Sequence, residues 1–319
     1  MRAAGVTEFG GPEALHLIDV PEVHAGPGEV RLAVRAAAVN PTDTYARNGT
    51  YAQRKGAPQE MPWIPGMDVA GVVDEIGPDT DTPLAVGDAV MAIVVPEGAH
   101  GGYREQIALP ADSVVPVPAG VDFPAAASLP MNGLTARLAL DRMALQPGQV
   151  LAVTGAAGSF GGYVVQLAVA DGLTVVADAS EADTELVRSL GAQVVLPRGE
   201  GFAAAVREQY PDGVDGLADG SVQGAQVLPA VADGGVVSTV RGYRGEDAEE
   251  HLGRGIRMEP VMVRDYGQNR AALDRLREQA ESGAVTLRVA DVVPAAEAAS
   301  AHARLEAGGV RGRLVLDFS

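Results

Sequence analysis

The chain has 319 residues, 47% of them hydrophobic, with 42 acidic against 24 basic residues and a net charge of −18. That balance excludes a nucleic-acid binder or a ligand of anionic membranes, which would repel it, and reads as an acidic, solvated surface. There is no Cys, which removes disulfides, thiolate nucleophiles and cysteine-ligated metal sites. Before residue 122 the pattern is one of short strands and turns. Ala14 to Val20 alternates, Glu29 to Ala36 alternates as Val30-Leu32-Val34, and Val69 to Ile76 is a third apolar run. Gly66, Gly71, Gly77 and Gly87, with Pro62, Pro65, Pro78 and Pro83, punctuate these runs and predict an irregular β-rich barrel. From residue 123 the texture changes. Helical segments at about 124–143, 159–171, 182–190 and 222–232 alternate with apolar strands at 150–154, 174–178, 193–196, 214–218 and 235–240, the β-α-β rhythm of a doubly wound parallel sheet in an α/β protein. Leu190-Gly191 marks a helix end. Arg257 to Val263 reads as a sixth strand, followed by a helix (268–282), a strand (285–293), a helix (295–307) and a last strand (313–318). The first domain has too few strands to close alone, so the last strands are assigned back to it. The expected division is a β-rich domain of 1–122 and 266–319 and a nucleotide-binding domain of 123–265, a length sufficient for two cores.

The most informative stretch is Val150-Leu-Ala-Val-Thr-Gly-Ala-Ala-Gly-Ser-Phe-Gly-Gly162. An apolar strand runs into glycines 155, 158 and 161 and reopens as a helix. Such a junction gathers backbone N–H groups and the positive end of a helix dipole at one point, where a pyrophosphate binds. Side chains at those glycines would block its approach. Twenty residues after Gly158 a second strand ends in Asp178, where a dinucleotide fold reads the ribose. No apolar run reaches the roughly 18 residues of a membrane span, and Met1 to Val6 is too weakly apolar for a signal peptide, so a cytoplasmic protein without membrane partners is expected.

The order of a β-rich domain, Asn132-Gly-Leu-Thr135-Ala, the glycine turn and Leu190-Gly-Ala192 resembles the medium-chain dehydrogenase/reductase superfamily, and within it the zinc-independent quinone oxidoreductases. The likeness extends over Val39-Asn40-Pro41-Thr42-Asp43 with Tyr45, Arg47, Gly49 and Tyr51, over Ile64-Pro65-Gly66-Met67-Asp68, over Gly87-Asp88-Ala89-Val90, and over Gly312-Arg313-Leu314-Val315-Leu316. It implies a GroES-like barrel joined to a Rossmann domain. The zinc-dependent members hold their metal with a Cys near residue 40 and a His near residue 67, where this chain has Asn40 and Met67. An amide and a thioether do not replace a thiolate and an imidazole on zinc, so no metal is expected. Without a Lewis acid the accessible chemistry is hydride transfer to an electron-poor acceptor, a quinone or an α,β-unsaturated carbonyl. That chemistry needs geometry and one or two hydrogen-bond donors.

The resemblance places Asn40, Tyr45 and Tyr51 beside the nicotinamide and acceptor, and Thr135, with Asn132, at the nicotinamide. Asp43 is read as a structural residue that holds backbone turns. The cofactor contacts expected are Thr135, Gly155, Ala156, Gly158, Ser159, Phe160, Gly161, Asp178, Ser180 and Arg198. Tyr51-x-x-x-Lys55 spells the acid–base pair of short-chain dehydrogenases, but there the glycine turn precedes the pair, and here it follows. His16, His24 and His302 are read as structural or solvent-exposed, and His100 as a residue near the cleft. Family members hold the 2′-phosphate of NADPH with a Ser, a Lys and a Tyr; here Ser180 is kept, Asp183 stands for the Lys and Arg198 for the Tyr. Asp178 favours NADH and Arg198 favours NADPH. NADPH is the working expectation, with NADH open. Three functional readings remain: a quinone reductase, an enoyl or alkenal reductase on the same scaffold, and a weakly catalytic dinucleotide-binding protein. A homodimer is expected by analogy with the family, through the strand near Arg257 to Val263.

Overall fold

Alternating apolar residues Val30, Leu32, Val34 and Ala36 make Glu29–Ala38 a strand of 10 residues with a buried inner face in the computed structural model, which describes residues 1–54, 56–58 and 60–319. In chain order the strands are β1 (Arg2–Gly5), β2 (His16–Asp19), β3 (Glu29–Ala38), β4 (Asp68–Ile76), β5 (Ala89–Ile93), β6 (Gln106–Pro110), β7 (Val114–Pro116), β8 (Val150–Thr154), β9 (Thr174–Ala179), β10 (Val194–Pro197), β11 (Val214–Asp219), β12 (Val231–Thr239), β13 (Arg257–Pro260), β14 (Val289–Pro294) and β15 (Arg313–Asp317). The helices are α1 (Asp43–Arg47), α2 (Phe123–Ala127), α3 (Pro130–Met143), α4 (Ser159–Ala170), α5 (Thr184–Ser189), α6 (Phe202–Gln209), α7 (Glu249–Leu252), α8 (Arg270–Glu281) and α9 (Ala298–Ala307).

The chain divides into two units, one of residues 1–131, 264–281 and 287–319, the other of 132–263 and 282–286. In the first unit β3 organises a seven-stranded sheet of order β14-β15-β3-β4-β5-β7. One edge of β3 pairs antiparallel with β4. Its other edge is shared, with β6 along residues 29–33 and β15 along 36–38. The C-terminal strand therefore completes the sheet that begins near residue 30. Val30, Leu32, Val69, Val73, Val90, Ile107, Leu109, Trp63 and Leu314 form its core.

The second unit is a parallel sheet of order β10-β9-β8-β11-β12-β13. Its central strands carry helices on both faces, so they are apolar throughout rather than alternating; Leu151, Ala152, Val153, Val175, Val176 and Ala177 are all buried. The chain leaves β8 toward β9 on one side and returns to β11 on the other. The carboxyl end of β8 is thus the switch point at which ligands bind in such sheets.

Among the differences from the sequence expectation, three concern the helices of the second half of the chain. The segment 124–143 is two helices, because Pro130 lacks an N–H and begins α3 rather than continuing α2. Residues 222–232 do not form an α-helix but a tighter 3₁₀ run, Gly224–Ala230, with Pro229 inside it. Between β10 and β11 lies α6, which the sequence reading missed; only Phe202, Ala203 and Val206 mark its buried side, too short a stripe to stand out. The helix end at Leu190-Gly191 is present, with Gly191 in the left-handed region at φ +106°. No helix among the described residues is long and apolar enough to cross a membrane.

Candidate active site

In the second unit the chain turns at Gly155, whose φ of +67° lies in the left-handed region. The Gly158 N–H donates to Gly155 O at 2.9 Å, and Gly158 is the N-cap of α4. A Cβ on Gly161 would stand 2.3 Å from Gly155 O, so α4 seats against the turn only because residue 161 has no side chain. The turn is a cradle closed to a side chain at residue 161 and open to a phosphate, with the first turn of α4 beside it. Ala156 is fully buried, while Ser159 and Phe160 are half-buried. Thr135 and Asn132 are buried on α3.

Asp178, the penultimate residue of β9, is buried, and its Oδ1 accepts the Ala156 N–H at 3.1 Å. Burial holds its carboxyl above the usual range, opposed by the backbone N–H groups of the turn and by Arg198. The carboxylate is thus engaged with the glycine turn itself. Ser180 donates its hydroxyl to Asp183 Oδ2 at 2.5 Å. Arg198 is exposed; its backbone N–H donates to Ala179 O at 3.0 Å, and its guanidinium has no hydrogen-bond partner among the described residues. One pair escaped the sequence reading. Thr154 Oγ1 donates to Asp219 Oδ1 at 2.7 Å, and Asp219 Oδ2 accepts the Gly224 N–H at 2.9 Å, tying the turn after β8 to the turn after β11. The signal was available, since Asp219 closes an apolar run as Asp178 does.

In the first unit Tyr45 and Tyr51 lie together, their rings edge to face at 5.7 Å and 69°. Tyr51 is buried and the Arg54 guanidinium stands 3.8 Å above its ring. Burial raises the Tyr51 phenol above its usual range, and Arg54 and Arg264 oppose that rise. Lys55, the partner that the Tyr-x-x-x-Lys spelling would need, lies outside the described residues. His100 is half-buried and lines a cavity of about 800 Å³ with Ile93, Val95, Leu109, Arg264 and Arg270. Burial, then Arg104, lowers its pKa, so the ring is neutral near pH 7.

Asn40, expected to offer its amide to an acceptor, is fully buried and engaged at both ends. Its Nδ2 donates to Asp68 Oδ2 at 2.7 Å, its Oδ1 accepts from Arg313 Nη2, and its backbone N–H donates to Asp43 Oδ2 at 2.8 Å. Asp68 Oδ1 also accepts the Met131 N–H at 2.5 Å. Asp43 takes two further donors, the Gly66 N–H at 3.1 Å and the Tyr103 hydroxyl at 2.9 Å. The structural role expected of Asp43 is what its contacts describe. Burial pushes Asp43 up to about 6 and Asp68 up to about 7, against the pull of Arg313 and the donors just named. His302, expected to be structural or exposed, is fully buried beside Tyr103.

The zinc of related enzymes does not fit this donor set. Met67 offers a thioether that already accepts from Thr42 Oγ1 at 3.0 Å, and the Asn40 amide is committed to Asp68 and Arg313. No cluster of three or more His, Cys, Asp or Glu suited to a metal exists among the described residues. A dinucleotide does fit the glycine cradle, where any Cβ at residue 161 would collide with backbone.

A β-rich unit closed by the C-terminal strand, together with a doubly wound sheet carrying a glycine turn at its switch point, defines a two-domain dinucleotide-type dehydrogenase or reductase. Residues 26–119 match the alcohol dehydrogenase GroES-like domain and residues 190–316 match the domain described as zinc-binding dehydrogenase. Pig quinone oxidoreductase is 29% identical over 331 residues, covering 99% of this chain and 97% of that one. Rat quinone oxidoreductase is 38% identical over 204 residues, 61% of this chain, so the match spans 58% of the relative's length. A mycobacterial structure solved as a complex with NADPH superposes with a TM-score of 0.86 at 30% identity, covering 99% of each chain. The chain belongs to the medium-chain dehydrogenase/reductase superfamily, on its quinone oxidoreductase-like branch.

The buried carboxylates predict an unusual pH dependence. Both have folded pKa values above the ordinary 3.8, so between about pH 4 and 7 the folded state holds protons that the unfolded chain releases. These two carboxyls therefore add stability as pH falls from about 7, by roughly 1.4 kcal/mol per pH unit for each, while His302, whose pKa burial lowers to about 3, removes a similar amount per unit below about pH 6.5. Urea unfolding at a series of pH values measures this, and Asp68→Asn should flatten the curve between about pH 6 and 7. An Asp68→Asn curve parallel to that of the unmodified protein would refute the burial of this charge.

Proposed function

We propose that the protein is an NAD(P)H-dependent reductase that delivers hydride to a quinone or a similarly activated small-molecule acceptor without a metal ion. The observation that carries this reading is the glycine turn at the carboxyl end of β8, open to a pyrophosphate and closed to a side chain at residue 161. The reduced nicotinamide, when bound, supplies the hydride. Gly155, Ala156, Gly158, Ser159, Phe160 and Gly161 form the pyrophosphate cradle, and Thr135 borders the nicotinamide. The Tyr45 and Tyr51 hydroxyls donate to the acceptor oxygen as negative charge develops there. Arg54 above the Tyr51 ring and Arg264 nearby favour that charge. Asn40 we assign to holding this region in place rather than to touching the acceptor, since its amide is engaged at both ends. An enoyl or alkenal reductase would use the same groups, so the decisive assay is hydride transfer against a panel of quinones and enones. Turnover of quinones supports the main reading, turnover of enones alone selects the second, and neither leaves a dinucleotide-binding protein with little catalysis.

We take NADPH as the preferred donor and the cytoplasm as the pool that supplies it. Support comes from the side chains after β9. Asp178 is turned to the Ala156 N–H, Ser180 is retained, and the Arg198 guanidinium is exposed without a hydrogen-bond partner among the described residues. Arg198→Ala should weaken NADPH by about ten- to a hundredfold, roughly 1.5–3 kcal/mol, and leave NADH nearly unchanged. Dissociation constants for the two cofactors, on both proteins, decide it; equal or tighter NADH binding by the unmodified chain means that Asp178 governs the pocket.

Gly158→Val tests the cradle itself. A Cβ there meets only Gly155 O, at 3.1 Å, so the fold should survive. Affinity for either cofactor should fall at least about tenfold, about 1.4 kcal/mol. Normal binding by the folded variant would put the pyrophosphate elsewhere.

We further propose a homodimer through β13, an outer strand of the six-stranded sheet that pairs with β12. No strand pairs with its other edge among the described residues, and a second copy can extend the sheet there across a two-fold axis. Light scattering at micromolar concentration should give twice the chain mass, and a monomer would contradict the proposal.

A further inference from the structure

Helix α1 is closed into a ring of hydrogen bonds by residues remote in sequence. Asp43 begins the helix and Arg47 ends it. Tyr103 and His302 bridge the two from outside, His302 lying 255 residues from Arg47 and 199 from Tyr103. The polarity of each bond follows from chemistry. A guanidinium only donates, so at 3.3 Å Arg47 Nη1 donates to His302 Nδ1. The neutral imidazole then carries its proton on Nε2, which donates to the Tyr103 oxygen at 3.2 Å. The phenolic hydrogen is left for Asp43 Oδ2, at 2.9 Å. At its outer end the ring is anchored by Arg47 Nη2 to Glu306 at 2.7 Å and by Arg47 Nε to Gly10 O at 3.2 Å.

A buried imidazole is costly unless both nitrogens are used, and an apolar side chain would fill the same space more cheaply. His302 uses both. It is faced by Arg47 from α1 and by Tyr103, while Glu306 of its own helix is bonded to Arg47; burial, then Arg47, pushes its pKa down to about 3, so the ring stays neutral and the polarity does not reverse. Asp43 at the far end is faced by Tyr103, by Arg313 of β15 and by Asp68 of β4. The same carboxylate receives the N–H groups of Asn40 and Gly66. Tyr45, in the middle of α1, is edge to face with Tyr51.

We propose that His302 is a positioning residue: acting through Tyr103 and Asp43, it fixes the one-turn helix that carries Tyr45 and the two loops, at Asn40 and Gly66, that flank it. This role in turnover rests on the reading that Tyr45 and Tyr51 serve the acceptor; the ring itself does not.

Two measurements on the full chain test it. Nitrogen-15 NMR of histidine-labelled protein should find His302 neutral with its proton on Nε2 from about pH 5.5 to 8. A proton on Nδ1, or a titration at the ordinary His pKa, overturns the ring. In the kinetic arm, His302→Gln can accept from Arg47 through Oε1 and donate to Tyr103 through Nε2, so kcat should stay within about twofold. His302→Leu breaks the ring and should lower kcat at least about tenfold with KM for the reduced cofactor nearly unchanged. Tyr103→Phe, which removes both hydrogen bonds of the phenol, to Asp43 and from His302, and keeps the ring's shape, replaces it if the Leu variant does not fold, with the same loss expected. Equal kcat for the folded Gln variant and the folded Leu or Phe variant overturns positioning. If the unmodified protein reduces neither quinones nor enones, the functional reading fails, and the NMR result alone decides whether the ring exists.

Discussion

The first unit is organised around two carboxylates taken wholly out of water. Asp43 and Asp68 are both unexposed, and burial of an ionised carboxylate is tolerated only where donors replace its hydration. Those replacements set the local structure. Asp43 recruits two backbone N–H groups and a phenol, and Asp68 recruits the Asn40 amide and the Met131 N–H. Arg313, itself buried, supplies the positive charge nearby and arrives on the last strand of the chain. Residues near 40, 66, 103, 131 and 313 are therefore held by one electrostatic requirement. Removing any single partner would leave a buried charge or polar group unmatched, which costs more than the bond itself contributed.

A different economy holds in the nucleotide-binding unit. There the acid at the end of β9 is spent on the turn that it adjoins, and the hydroxyl two residues later is spent on Asp183. In the proposed reading, charge recognition beyond the glycines falls to a long exposed side chain, Arg198. Arginine suits that task because its guanidinium stays charged and presents several donors in a fixed fork.

The glycine turn and the parallel sheet were legible in the sequence because their information is local. Strand, turn and helix follow one another within twenty residues, Gly158 and Gly161 both adjoin Gly155, at most six positions away, and Gly155 is required by its own left-handed φ. The strand of Glu29–Ala38 was legible for the same reason, since its alternation is complete in itself. What stayed hidden depends on partners far along the chain. Asn40 looked like a free amide in a loop; its commitment to Asp68 and Arg313, the latter 273 residues away, leaves no periodic trace. His302 sits on a helix whose pattern does not distinguish a surface histidine from one bonded to Tyr103 and Arg47. The short helix α6 was missed on different grounds, as eight residues with three buried side chains fall below what a helical period can signal.

The shared edge of β3 has a consequence for how the chain reaches this state. On the edge of β3 away from β4, residues 36–38 pair with Val315–Asp317, so that edge of the sheet begun by the first hundred residues stays open until residues 315–317 have been made. The intervening unit has no such debt: its six strands all lie between residues 150 and 260. During synthesis the nucleotide-binding sheet can assemble first, while the earlier strands wait with an uncovered edge. Removal of residues 315–317 would be felt in the early strand that they pair with.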